Sequence, residues 1–274
     1  MGELTLSIYE HVWSRKENSL LNVSVTEKVC FITLTRSASL NAFNQQMRAE
    51  LVDALTLIND DAQIRTVVLL AEGHCFSAGA DLSELSNECD DVQVQLIEEY
   101  APIFNMIRHS DKIFIAAVHG VAAGIGAALA MSCDLLVMAD NAQLYPAFML
   151  LGLVPDGGTS WHFVKQLGYR QSLELCLEAK SMDAEMCLDL GLTNKVVTHH
   201  ELKPFVADWA EKLSKGPSIA QRHVKPLLQQ VEKLSFEQAF AMEAELQQQC
   251  FISQDFEEGL CAFFEKRQPI FSGK

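Results

Sequence analysis

No two of the eight cysteines stand in a C-x-x-C pair. Cys30, Cys75, Cys89, Cys133, Cys176, Cys187, Cys250 and Cys261 occur singly, most of them inside apolar runs. That spacing argues against a zinc knuckle or a disulfide framework and for reduced thiols packed in a core. Basic residues are scarce: 21 Lys and Arg face 36 Asp and Glu, for a formal net charge of −15. Nucleic acid and anionic membrane each require a basic face, so neither is expected as a general partner. A phosphate-bearing small molecule stays open, because a few local cations or N–H groups suffice for it. Long polar tracts and internal repeats at periods of roughly 20–50 residues are missing too. With 49% apolar residues the chain can bury a sizeable core.

The opening segment, MGELTLSIYEHVWSRKENSL, carries charges throughout and no apolar stretch. A secretory signal is therefore not expected, and a cytoplasmic location is. Ser7 falls one position beyond the serine of a myristoylation motif, so lipidation is not expected either. One run, Ile113 to Met131, is long enough on paper to cross a bilayer. It holds His119, Gly120, Gly124, Gly126 and many alanines, and reads instead as a buried strand, turn and helix.

The chain divides into an extension at residues 1–20, an α/β core at 21–200 and a helical C-terminal region at 201–274. Residues 21–36 suggest two antiparallel strands, the second over Val29–Thr35. Asn44 is placed to cap a helix whose Met47, Leu51, Ala54, Leu55 and Ile58 share one face. Arg65–Ala71 and Leu135–Ala139 read as buried strands. A mobile acidic loop is expected near Glu88–Asp91, then a helix over Val92–Arg108. Thr159–Leu167 and Gln171–Leu177 are helical by pattern, parted by Gly168. Ser181–Ala184 opens another helix that ends at Gly191, and Thr193–Val197 is a short strand. From Glu201 the chain reads as helical, with a break at Lys215-Gly216-Pro217. Strands alternate with helices and then helices alone follow, as in an α/β core with a helical appendage.

Chemistry concentrates where small residues follow a strand. Ala78 lies in HCFSAGADL and Ile125 sits between Gly124 and Gly126. With few side chains around them, their N–H groups can be approached by a carbonyl oxygen, and two converging donors stabilise charge developing on it. Tight strand–helix packing explains the same small residues, and G-x-G alone does not separate the two.

HCFSAGADLSEL, then AAVHGVAAGIGAALAMSCDLLVMADNAQL, then LGLVPDGGTSW resemble the crotonase (enoyl-CoA hydratase/isomerase) superfamily. So do the Leu40-Asn41-Ala42 turn and the C-terminal pattern Phe256-x-x-Gly259-x-x-Ala262-Phe263-x-Glu265-Lys266-Arg267-x-Pro269-x-Phe271. The resemblance covers roughly residues 22–274. It implies a spiral of ββα units with a helical C-terminal trimerisation region, homotrimers or homohexamers, and an acyl-CoA thioester substrate. It implies no separate cofactor, since coenzyme A arrives as part of the substrate, and no metal. Under it, the N–H groups of Ala78 and Ile125 hold the thioester oxygen. The ligand runs along Leu40, Ala42, Ala80, Asp81 and Gly124, and Lys266 beside Arg267 is a candidate phosphate contact. A solvated helix end is the plainer reading of that basic pair.

Two departures narrow the reaction. Where the resembling hydratases carry glutamates, this chain has Ala128 and Phe148. Water addition by two carboxylates would lose about 10²–10⁴-fold for each missing proton transfer. Asp156 remains, at the P-D-x-G position that serves as the single base in the branch resembling the phenylacetate-pathway isomerase and the Δ3-Δ2-enoyl-CoA isomerases. The expectation is an enoyl-CoA isomerase acting through Asp156, with Phe148 and Trp161 as apolar walls and residues Leu85–Tyr100 lining the acyl pocket. A helix cap before Gly157-Gly158 is the other role open to Asp156, and a nearby helix N-terminus would depress its pKa. Other functions kept open are a hydratase using unfamiliar acids such as Glu84, and a catalytically weak acyl-CoA-binding protein. His119 is expected to be buried and hydrogen-bonded, His162 to be a minor candidate for the acyl pocket, His199-His200 to lie on the surface, Asp81 to cap a helix, and Asp134 to be structural.

Overall fold

The computed structural model describes residues 18–87 and 91–274, without the side chains of 85–87. The extension up to residue 17, Cys89 and positions 88–90 of the acidic stretch lie outside the described residues. Two compact units are present, one ending at Ala210 and one running over Glu211–Lys274.

In the first unit, β1 (Leu21–Thr26) pairs antiparallel with β2 (Val29–Leu34). Every second residue of β1 is buried, as expected of a strand with one face on the core. Asn44 Oδ1 accepts the Met47 N–H at 3.0 Å and so starts α1 (Gln45–Asp60), which buries Met47, Leu51, Ala54, Leu55 and Ile58. Then β3 (Thr66–Ala71) is buried at every position, the signature of a strand covered on both faces. A short α2 (Leu82–Asn87) follows the small-residue segment Ser77–Asp81.

The periodicity over Val92–Arg108 predicts one helix, and the structure departs from it. Asp91 caps α3 (Val92–Gln95), which passes through a turn of π-helix at Leu96–Tyr100 into α4 (Ala101–Arg108). Pro102 stands in the first turn of α4 and has no N–H, so one helical bond to the preceding turn cannot form. The Ala101 N–H reaches back to Leu96 O, closing the wider loop.

Next come β4 (Ile113–Val118), β5 (Val121–Ala123), α5 (Ile125–Ser132), β6 (Leu135–Ala139) and β7 (Gln143–Tyr145). After α6 (Thr159–Leu167) and α7 (Tyr169–Leu177) lie β8 (Met182–Asp183), α8 (Ala184–Asp189) and β9 (Lys195–Val197). Asp183 Oδ1 accepts the Met186 N–H at 2.8 Å, which delays the helix expected from Ser181 to Ala184 and leaves Met182 free to pair. The main sheet has the order β1-β2-β3-β4-β6-β9, parallel beyond β2. A second, three-stranded sheet, β5-β7-β8, comes from Val121–Ala123, which reads as part of a turn, Gln143–Tyr145, which carries no strand pattern, and Met182–Asp183, which reads as a helix start. Two or three residues are too few to show alternation, so only the pairing reveals them.

Asp134 Oδ2 accepts the Phe114 N–H at 2.8 Å, a structural role. His119 is buried with Nε2 3.1 Å from Gly73 O, and burial lowers its pKa. His199 and His200 are exposed. Leu202, Val206 and Ala210, on α9 (Leu202–Ser214), are buried. The second unit contains α10 (Ser218–Val231), α11 (Phe236–Phe251) and α12 (Gln254–Glu265). Asp255 Oδ1 takes the N–H groups of Ser272 and Gly273 at 2.7 and 2.9 Å, tying the C-terminal segment to α12. Among the described residues no helix is long and apolar enough to cross a membrane. No three His, Cys, Asp or Glu side chains among them converge as a metal site would require.

Candidate active site

The first unit holds a cavity of about 700 Å³. One wall comes from the segment after β3. There the Ser77 N–H donates to Val121 O at 3.2 Å, and the Ala123 N–H returns to Ser77 O at 2.8 Å. This pairing lays the two small-residue segments side by side. Gly79 has φ +96°, and a methyl group on it would stand 2.8 Å from Ala123 O, so no larger residue fits. The same methyl would lie 3.6 Å from Ile125 N, which shows how near the two segments come.

The donors differ from the expected pair at one position. The Ala78 N–H is not free: it donates to Leu40 O at 2.9 Å. Gly79 N–H is also used, by Ser77 Oγ at 3.2 Å. The next N–H, that of Ala80, has no acceptor among the described residues. Ile125 is the first residue of α5 and its N–H is likewise without an acceptor there, as helix-initial N–H groups are. Gly124 N–H is taken by Tyr145 O at 2.9 Å. Ala78, Ala80, Gly124 and Ile125 all line the cavity, but the open donors are those of Ala80 and Ile125.

The Leu40–Ala42 turn is clamped to the end of β3. Asn41, with no solvent exposure, donates from Nδ2 to Glu72 O and Cys75 O at 2.8 and 3.0 Å. Its own carbonyl accepts the Ser77 hydroxyl at 2.8 Å. Ala42 lines the cavity, whereas Leu40 is exposed and contributes its carbonyl to Ala78. Asp81 lines the cavity. Its Oδ1 accepts the Ser83 N–H and hydroxyl at 3.1 and 2.7 Å, capping α2, and its Oδ2 pairs with Arg36 at 2.6 Å. The Ser83 hydroxyl and then the Arg36 guanidinium hold this carboxyl below its ordinary pKa.

Asp156 lines the cavity as well. Its Oδ1 is buried and has no hydrogen-bond partner among the described residues. The N-cap of α6 is Gly158, with no side-chain cap bond, so the side chain of Asp156 is not a helix cap. Burial pushes its pKa from 3.8 up to about 6. The competition between a depressing helix end and a raising desolvation is thus decided by desolvation, because no donor among the described residues reaches the carboxylate. The turn carrying Asp156 packs on α5: a methyl on Gly157 would meet Ala128 Cβ at 2.8 Å and Ile125 Cγ1 at 2.9 Å. Ala128, fully buried, therefore lies directly beneath the Asp156–Gly157 turn.

Phe148, buried, forms part of the cavity wall. Trp161 does not. It is 43% exposed on α6, with the Arg108 guanidinium 4.2 Å over its ring. His162 is also absent from the wall. Its Nε2 lies 3.4 Å from Ser132 Oγ, and burial, aided by Arg108, lowers its pKa to about 4. Lys266 is the exposed residue that ends α12 in the second unit. Its neighbour Arg267 is held by Glu258 and Glu265. Of the stretch expected to line the pocket, Val92, Gln95, Leu96 and Tyr100 do so. Arg36 had no local signal in the sequence; it reaches the cavity from the end of β2, which is placed by pairing with β3.

Residues 24–274 match the family model for enoyl-CoA hydratase/isomerase. A protein named as a probable enoyl-CoA hydratase from Rhodobacter capsulatus is 34% identical over 93% of this chain and 98% of its own length. The 1,2-epoxyphenylacetyl-CoA isomerase of Escherichia coli is 31% identical over 91% of this chain and 97% of its own. The crystal structure of an enoyl-CoA hydratase from Bacillus anthracis, 28% identical, superposes with a TM-score of 0.89 over 93% of this chain and all of that one.

Proposed function

The chain belongs to the enoyl-CoA hydratase/isomerase family, and from that premise we propose that it is an isomerase that moves the double bond of an acyl-CoA thioester from C3 to C2. The observation that carries this reading is one unpartnered carboxylate, Asp156 Oδ1, buried in a cavity that Ala80 and Ile125 also line.

The thioester carbonyl accepts the N–H groups of Ala80 and Ile125. Asp156 removes a proton from C2, and the electron pair passes to the thioester oxygen as a dienolate. Two fixed donors in a water-poor site stabilise that charge, each contributing about 10²–10³ in rate. The neutral Asp156 then returns the proton to C4, and the double bond settles between C2 and C3. A carboxyl with a pKa near 6 suits both halves: it is ionised at neutral pH, yet more basic than an exposed aspartate. The step uses the thioester, one carboxylate and two donors, with coenzyme A as part of the substrate.

Hydration needs an acid and a base. The two hydratase positions are Ala128 and Phe148, and Glu84 does not replace them. Its Oε1 accepts the Gln45 N–H at 2.8 Å and its Oε2 accepts from Arg48 at 2.9 Å, and it is not among the lining residues. Assembly as a homotrimer or homohexamer is part of the proposal, supported by strongly exposed Phe236, Phe263, Phe264 and Ile270 in the second unit. The test is to incubate the protein with 3-enoyl-CoA and, separately, crotonyl-CoA. Conversion of the first to 2-enoyl-CoA is expected, and rapid hydration of crotonyl-CoA sinks the isomerase. Tight binding of both without turnover points to a binding protein.

A further inference from the structure

Arg48 belongs to α1, which contributes no residue to the candidate site, yet it is 3% exposed and its guanidinium is directed at the cavity wall. Its Nη1 donates to Glu84 Oε2 at 2.9 Å, at the start of α2. Its Nε donates to Glu99 Oε2 at 2.7 Å, inside the π turn. Phe43 O accepts from Nη1 at 3.0 Å, the Tyr100 hydroxyl lies 3.4 Å away, and the guanidinium carbon stands 5.0 Å over the Tyr100 ring. One buried cation thus binds both the start of α2 and the π turn.

The grip on the π turn matters most. A π turn carries one residue more than an α turn, so closing it to α geometry would rotate the preceding residues by about 100° relative to those that follow. The residues that follow are anchored, since Ile103 and Ile107 on α4 are buried. Those that precede it are Val92, Gln95 and Leu96, whose i, i+3, i+4 spacing puts them together on the cavity. Among the described residues they have no comparable anchor: Val92 is 48% exposed. We propose that Arg48 is a positioning residue that sets the acyl-chain selectivity of the cavity, by holding the Leu96–Tyr100 π turn and the start of α2 in one frame. The inference rests on the reading that this cavity receives an acyl-CoA thioester.

Lysine does not replace the planar fork, because one ammonium lacks the geometry to donate to Glu84 and Glu99 from fixed, divergent positions. The test is calorimetric titration of the full chain, and of its Arg48→Lys and Glu99→Gln variants, with coenzyme A, butyryl-CoA and decanoyl-CoA. These saturated ligands bind without turnover, so the result does not depend on the isomerase step. The unaltered protein is expected to prefer decanoyl-CoA. In Arg48→Lys that preference should fall about tenfold, as when two methylenes lose apolar contact, with coenzyme A and butyryl-CoA unchanged. Glu99→Gln, altering a half-exposed partner, should shift the preference the same way by less. An unchanged preference in both variants overturns the proposal. So does equal weakening of all three ligands, the mark of a merely structural role, or an unaltered protein that binds both chain lengths alike. Failure of the unaltered protein to bind any of the three refutes the underlying acyl-CoA reading itself.

Discussion

Replacing Asp156 by asparagine should make the protein more stable and less active at once. Burial holds this carboxyl at a pKa of about 6 against an ordinary 3.8, and no hydrogen bond offsets the lost solvation at Oδ1. The folded state therefore binds the proton more tightly than the unfolded chain does. Between the two pKa values the folded protein carries more protons, so stability falls as pH rises through this window, and above about 6 the full penalty of the buried charge is present. A shift of roughly 2 units is worth at most about 3 kcal/mol at 1.36 kcal/mol per unit. Residual solvent contact cuts this to ~1–2 kcal/mol. The Asp156→Asn variant loses that penalty at pH 8, which corresponds to a rise in Tm of roughly 2–8 °C for a unit of this size. Differential scanning calorimetry at pH 8 and pH 4.5 measures it: the gap between variant and parent should be present at the first pH and shrink at the second. The isomerase rate should fall by about 10²–10⁴-fold. A variant no more stable than its parent at pH 8, or a gap independent of pH, would refute the claim that desolvation governs this carboxyl. Full activity in the variant would refute its role as the base.

The remaining predictions concern the same framework. The kcat/KM for a 3-enoyl-CoA should lose about tenfold per pH unit below about 6 and be level above it, because the base must be ionised; a pH-rate titration giving a midpoint near 4, the ordinary aspartate value, would refute the burial-raised pKa of Asp156. Ala128→Glu should lower soluble yield and stability by roughly 3 kcal/mol or more without producing hydration, since the Asp156–Gly157 turn fills the space above Ala128. A stable variant that hydrates crotonyl-CoA would contradict this packing argument. Asn41→Ala should cost about 3–4 kcal/mol in urea unfolding, through two lost hydrogen bonds, one of them to the buried Cys75 carbonyl, and a methyl side chain at φ +52°. A loss under about 1 kcal/mol would mean the turn is held elsewhere.

The long elements were readable because their burial patterns are written in the chain. Asn44 and the Met47–Ile58 stripe announce α1, and Thr66–Ala71 is apolar enough to be a strand covered on both faces. The π turn at Leu96–Tyr100 was not readable, since it preserves helical composition and changes only the register. Asp183 hid a strand behind a helix cap for a similar reason: local residues favour both outcomes, and pairing of Met182 with Leu144 selects one.

The candidate site divides in the same way. From the sequence alone come the strand–turn–helix segments, the absence of acids at Ala128 and Phe148, and a lone carboxylate at Asp156, because residue identity is enough to exclude chemistry. Which N–H groups remain open is a different kind of fact. Ala78 and Ala80 are equally small and flank the same glycine, and a bond from Ala78 to Leu40, distant in sequence, leaves Ala80 as the open donor. Trp161 looked like a wall and faces Arg108 instead, because a helix face is assigned by what packs against it. The pKa of Asp156 also belongs to the tertiary structure. A proline, an aspartate and two glycines specify a turn, but only the surrounding packing strips Oδ1 of that carboxylate of water and donors.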